Sequence, residues 1–164
     1  MDLLSFCHWI ENTPAGVAIR ESPTIFEIVE SVHTLGIVFV AGTIFLVDLR
    51  LLGLGLRLEP VRDVVQRLVP WTLWGFCVMA FTGTWLFAGE ASRIYRSPGL
   101  RIKLVLLALA GLNALLFHLT VYRRVAEWVG VPARARMAGW ISLVLWTCII
   151  AAGRSIAYGP GYDQ

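Results

Sequence analysis

Four apolar blocks separated by short charged segments run along the 164-residue chain. The first opens at Ser22-Pro23, a capping side chain followed by a proline in the first helical turn. From Leu35 to Val47 it carries no charge. With its shoulders the block covers 24–50, enough for a bilayer crossing, which takes about 20 residues. The second block, 69–88, places Pro70 in its first turn, and Gly75, Ala80 and Gly83 offer close-approach surfaces. Ahead of it, Val61, Val64, Val65 and Leu68 recur at helical spacing among Arg62, Asp63, Gln66 and Arg67, which predicts an amphipathic lead-in on the membrane surface. The third block, 100–122, follows a second Ser-Pro step at Ser97-Pro98 and carries Ala110 and Ala114 four apart. The fourth spans 137–158 after a stop at Gly130-Val131-Pro132. The pattern predicts an all-α protein: one integral membrane domain over 1–164, four transmembrane helices in up-down order, and a short N-terminal interfacial segment anchored by Trp9.

Composition supports that reading. Hydrophobic residues make up 57% of the chain and the mean hydropathy is +0.71, against about 45–50% apolar, glycine included, in soluble domains. The net charge of +3 comes from Lys and Arg flanking the apolar blocks, so it marks a bilayer and not nucleic acid as partner. Cys7, Cys77 and Cys148 are too scattered for a disulfide framework or a zinc knuckle, and the last two read as small buried hydrophobes. With the N-terminus outside, the inner loops hold Arg50, Arg57, Arg62, Arg67, Arg123, Arg124, Arg134 and Arg136, eight basic residues against six outside. That bias favours an inner-membrane, multi-pass protein with both termini outside. An aromatic belt is expected from Trp71, Trp74, Tyr122, Trp128 and Trp140 at one edge and Trp85, Tyr95 and Tyr158 at the other.

Few polar residues remain to carry chemistry. Glu27, Glu30 and His33 recur every three residues and share one helix face. Arg154 closes the fourth block behind the small-residue step Ala151-Ala152-Gly153, at the depth of that acidic shoulder. Glu30, His33 and Arg154 are therefore the candidate ligand pocket of the outer half, with Glu27 or Glu90 as further ion-pair partners for the arginine. Asp48 is expected to pair with a basic residue on a neighbouring helix end, since Arg50 at i+2 does not face it. His8, His33 and His118 are the candidate haem or metal ligands. His33 sits about 25 Å above the inner edge of its helix and His118 about 8 Å. Those two therefore cannot share one iron, and haem would need His8 with His33, or Met137 with His118. No Ser/His/Asp arrangement, phosphate-binding glycine loop or HExxH motif occurs.

His33-x-Leu-Gly, Asp48-Leu-Arg-Leu-Leu-Gly, Leu100-Arg-x-Lys, Asn113-Ala with His118, and Ala152-Gly-Arg-Ser-Ile-Ala-Tyr together resemble a bacterial family of small four-helix membrane proteins, domain of unknown function 6644. The resemblance covers all four blocks. It implies fold and membrane location and no activity, so no catalytic residue follows from it. The leading reading is a non-enzymatic membrane module or subunit, alone, as a homo-oligomer or with other membrane subunits, with its ligand pocket in the outer half. The alternatives are a small haem b protein exchanging electrons with quinone, and a small transporter.

Overall fold

The computed structural model describes residues 2–127 and 130–157. Trp128 and Tyr158, the last residue of the fourth expected span, lie outside the described residues. Two short helices open the chain, α1 (Leu3–Glu11) and α2 (Pro14–Glu21). The long helices α3 (Pro23–Leu52) and α4 (Val61–Gly89) follow. A six-residue helix, α5 (Ala91–Arg96), leads into α6 (Pro98–Leu116). The chain continues from α6 through a π-helical turn (Phe117–Val121) and a 3-10 segment (Tyr122–Glu127), and ends in α7 (Ala133–Ala157). Four helical segments are long and apolar enough to cross a membrane: Pro23–Leu52, Val61–Gly89, Pro98–Val125 and Ala133–Ile156.

Local chemistry sets the helix ends. The Ser22 hydroxyl accepts from the Ile25 amide ahead of Pro23, and Thr13 does the same for Gly16 ahead of Pro14. Ser97 makes no such side-chain bond, so its helix start rests on Pro98 alone. Helix α3 stops at Gly53, whose φ of 72° is left-handed and whose loop returns the Leu54 amide to the Leu49 carbonyl. The expected surface lead-in and second span are one helix. α4 runs unbroken through Pro70, with Val61, Val64 and Val65 buried on one stripe. The third span departs from expectation at its far end, where α-geometry gives way to the π turn after Leu116.

The bundle core is an antiparallel ladder between α3 and α4. His33 meets Thr82 and Gly83, Gly36 meets Met79, Val40 meets Gly75, and Thr43 meets Thr72. As α3 advances by seven residues, α4 retreats by seven, the register of two helices packed along one seam. Gly75 permits it: a Cβ there would stand 2.8 Å from Val40 Cγ2 and 2.9 Å from Phe39 Cδ1. α7 packs on α3 and on α6. At its crossing with α3, Gly139 lies against the Asp48 and Leu51 backbone and Cβ positions. α4 meets the third span at the 3-10 segment (Tyr122–Glu127), and α4 and α6 are not among the closely packed pairs, so the fourth side is the least closely joined.

Each end is closed differently. Where α3 ends, Leu51, Val61, Val65, Phe117 and Ala135 form an apolar floor, with Tyr122 and Val125 packed against it. At the other end α1 packs on α5, and α2 packs on α3 and α4, burying Cys7 and Ile19. The Glu11 carboxylate ties this cap together by accepting from both the amide and the hydroxyl of Ser92. Burial pushes the Glu11 carboxyl up, but the hydrogen bonds from Ser92 and the His8 contact outweigh it and hold it below the ordinary value.

The outer surface of the long helices is apolar. Leu35, Val38, Leu73, Trp74, Phe81, Val105 and Val144 all point outward with more than half their area uncovered. In water such a surface would be a large aggregation liability. In a bilayer it faces hydrocarbon, and small-residue contacts rather than a wide apolar core hold the helices together. Cys77 and Cys148 belong to this outward surface and Cys7 to the interior, the reverse of the sequence expectation for the first two. The fold is an all-α four-helix bundle whose helices suit a membrane.

Candidate functional site

Where α4 and α6 part, the bundle holds a cavity of about 450 Å³. That volume falls in the range of small-molecule sites, about 300–1,000 Å³. Its walls come from α3 (Ile44, Val47, Asp48), α4 (Val69, Thr72, Phe76), α6 (Leu107, Asn113, His118) and α7 (Ala138, Ser142, Trp146), above the apolar floor at Leu51 and Phe117. Asp48 lies about 6 Å from the floor end of α3, and Trp146 about 20 Å along α7 from that end, so the cavity reaches mid-bundle.

Asp48 is the unusual residue. It is only 4% exposed, and its Oδ2 is buried without a hydrogen-bond partner. Ser142 lines the same cavity, and among the described residues no salt bridge reaches Asp48. The expected ion pair at the helix end therefore gives way to burial against α7, because Gly139 lets that helix approach the Asp48 backbone. Intramembrane carboxylates facing a bundle interior mark function by default, since their burial is unfavourable.

Asn113 donates its amide N–H to the Ala138 carbonyl at 3.1 Å, which fixes the amide orientation and leaves Oδ1 uncommitted. His118 Nδ1 lies 2.9 Å from the Ala114 carbonyl, which can only accept, so the ring donates there. Phe117 meets the imidazole edge-on at 5.4 Å and Tyr122 lies at 5.3 Å, both by ring centres. The π turn that begins at Phe117 widens the helix where Phe117 and His118 line the cavity. Such turns recur at functional positions.

Of the candidate ligand and ion-pair residues singled out from the sequence, Asp48 and His118 line this cavity and the others do not. His33 is half-buried, with Nδ1 2.9 Å from Thr82 Oγ1. The Thr82 hydroxyl also lies 2.9 Å from the Val78 carbonyl; with its proton there, His33 donates to it. Glu30 is exposed, as is Arg154 in the last turns of α7. Glu90 pairs with Arg93 on the next helix. Glu27 is exposed beside a shallow recess of about 240 Å³ that it shares with Arg20, Phe26 and Glu90. His8 is exposed and hydrogen-bonds Glu11 at 3.2 Å, and Met137 is 59% exposed. His33 sits level with Thr82, whereas Phe117 beside His118 sits level with Val65, a separation of about 25 Å along α4. Two axial nitrogens on one iron need about 4 Å. Among the described residues no group of three His, Cys, Asp or Glu side chains converges on a metal position.

Lys103, Ser142 and Trp146 are interior residues that sequence reasoning passed over. Lys103 stands inside the third apolar block, and its ammonium lies against Gly153. The stripe Gly99, Lys103, Leu106, Ala110, Asn113 and Phe117, all covered or half-covered at helical spacing, is the signal that places it inward.

A four-helix bundle with an outward apolar surface and a cavity at an unpacked seam belongs to the class of small polytopic membrane proteins. The chain is a member of the Family of unknown function (DUF6644), whose profile matches residues 5–159. No curated protein and no solved structure matches it.

Proposed function

We propose that this protein is a non-enzymatic membrane module that takes a largely apolar small molecule from the bilayer into the cavity beside Asp48. The observation that carries the reading is a cavity of ligand size, apolar on most of its walls, placed where α4 and α6 leave the bundle unpacked. A lateral gap between helices admits a lipid-dissolved molecule without passage through water. This moves the ligand site from the outer pocket expected at Glu30, His33 and Arg154 to the opposite half of the bundle.

The protein belongs, on this reading, in the cell inner membrane with both termini outside. The charge bias of the loops and the even number of candidate spans support that arrangement. Reporter fusions after Gln164 and after Arg62 should report opposite sides.

A substitution that fills the cavity tests the site. A Cβ at Gly111, on the cavity wall, would meet nothing within 4 Å, so Gly111→Phe can enter open space. Mass spectrometry of molecules co-purifying from membranes should find an apolar species at stoichiometric level on the wild type and lost from Gly111→Phe. Identical extracts from both would overturn the reading.

A further inference from the structure

We infer that the cavity ligand is a lipophilic amine, held by its ammonium group against Asp48; this deepens the cavity reading and rests on it. The inference comes from the donor and acceptor balance of the lining. Asp48 presents Oδ2, buried and unpartnered. His118 donates its Nδ1–H to the Ala114 carbonyl, so that nitrogen is not free for a ligand. Asn113 donates one amide N–H to the Ala138 carbonyl, leaving Oδ1 and its second N–H. The Thr72 hydroxyl, also on the wall, spends its single proton on Thr43 Oγ1 or the Leu68 carbonyl. Asp48 Oδ2 is thus a buried acceptor that no donor on the wall meets.

No Lys or Arg lines the cavity. A head group that only accepts hydrogen bonds, such as a ketone, an ester or a carboxylate, would leave Oδ2 unsatisfied and add a second acceptor beside it. A primary ammonium reverses that. It offers three N–H donors from one compact centre and supplies the single positive charge that a lone buried carboxylate lacks. Its alkyl or aryl body would lie among Val69, Phe76, Leu107 and Trp146.

The test compares three heads on one chain. Full-length protein in zwitterionic lipid nanodiscs is titrated with radiolabelled decylamine, decanol and decanoate, with binding corrected for partition into empty discs. The expected result is saturable decylamine binding at one molecule per chain, with decanol and decanoate at least ten-fold weaker. Asp48→Asn, close in shape, should weaken decylamine at least ten-fold and bring it level with decanol. Saturable binding of decanol as tight as that of decylamine, unchanged in Asp48→Asn and abolished in Gly111→Phe, would overturn the amine inference and leave the cavity reading standing. Absence of saturable binding of any of the three in the wild type, or binding unchanged in a monodisperse Gly111→Phe, would overturn both. The head-group comparison needs no variant, so it decides the inference even if a substitution prevents folding.

Discussion

Asp48→Leu is expected to stabilise the protein while removing its ligand site. The carboxylate is 4% exposed and Oδ2 has no partner. Leaving a buried polar group unsatisfied costs about 1–3 kcal/mol, and more where the group is charged. Leucine is close in size and meets an apolar wall formed by Ile44, Val47 and Leu51 on its own helix. Against the gain stands the lost interaction with Ser142, about 1 kcal/mol. The serine can turn its hydroxyl to the carbonyl one turn back, which limits that loss. The net expectation is a gain of about 1–2 kcal/mol, in line with the replacement of other buried charged groups by apolar ones. Titration of mixed micelles with a denaturing detergent, followed by circular dichroism and checked for reversibility, measures it. Decylamine should then raise the midpoint of the wild type and leave that of Asp48→Leu unchanged. A loss of more than about 2 kcal/mol in the leucine variant would refute the reasoning, because it would show that the carboxylate holds the bundle together.

Three further expectations follow from the packing and the cap. Gly75→Ala places a Cβ 2.8 Å from Val40 Cγ2 and should cost about 1–3 kcal/mol, whereas Gly42→Ala, with nothing within 4 Å, should be neutral or stabilising; equal effects in the same micelle titration would contradict the α3–α4 register. The lowered Glu11 carboxyl contributes stability above its unfolded value near 4.5, and that contribution is lost as pH falls through the lower folded value. Hydrogen exchange over 3–11 and 91–96 should therefore quicken on acidification below about pH 4.5 in the wild type, and Glu11→Gln should show no such step. Arg154→Ala, an exposed site, should change stability by no more than about 1 kcal/mol; a loss of about 3–5 kcal/mol in thermal unfolding would instead reveal a dry pair with an acid.

The four long helices were legible because a bilayer demands long apolar runs, and Ser22-Pro23 marks a helix start in chemistry that depends on neighbours in sequence alone. The continuity of α4 was not: Pro70 reads equally as a first-turn residue or as an interior one. The π turn at Phe117 left no local signal, since FHLTV carries no breaker. The cavity beside Asp48 was not legible for a reason of the same kind. Glu30, His33 and Arg154 share a depth, but depth says nothing about which way a side chain faces, and two of them point outward. Asp48 lies on the stripe Ala41, Ile44, Asp48 and Leu51, which was visible in the spacing. What turns it inward is Gly139 on a helix ninety residues away, and that contact belongs to tertiary packing.

Photolabelling tests the central claim most directly. Protein in nanodiscs is irradiated with an alkylamine carrying a diazirine on its chain, and adducts are mapped by mass spectrometry with and without excess decylamine. The account predicts adducts at the buried wall, at Asp48, Ser142 and Trp146, that disappear under competition. Adducts confined to outward residues such as Val38, Val105 and Val144, insensitive to competitor, would contradict it.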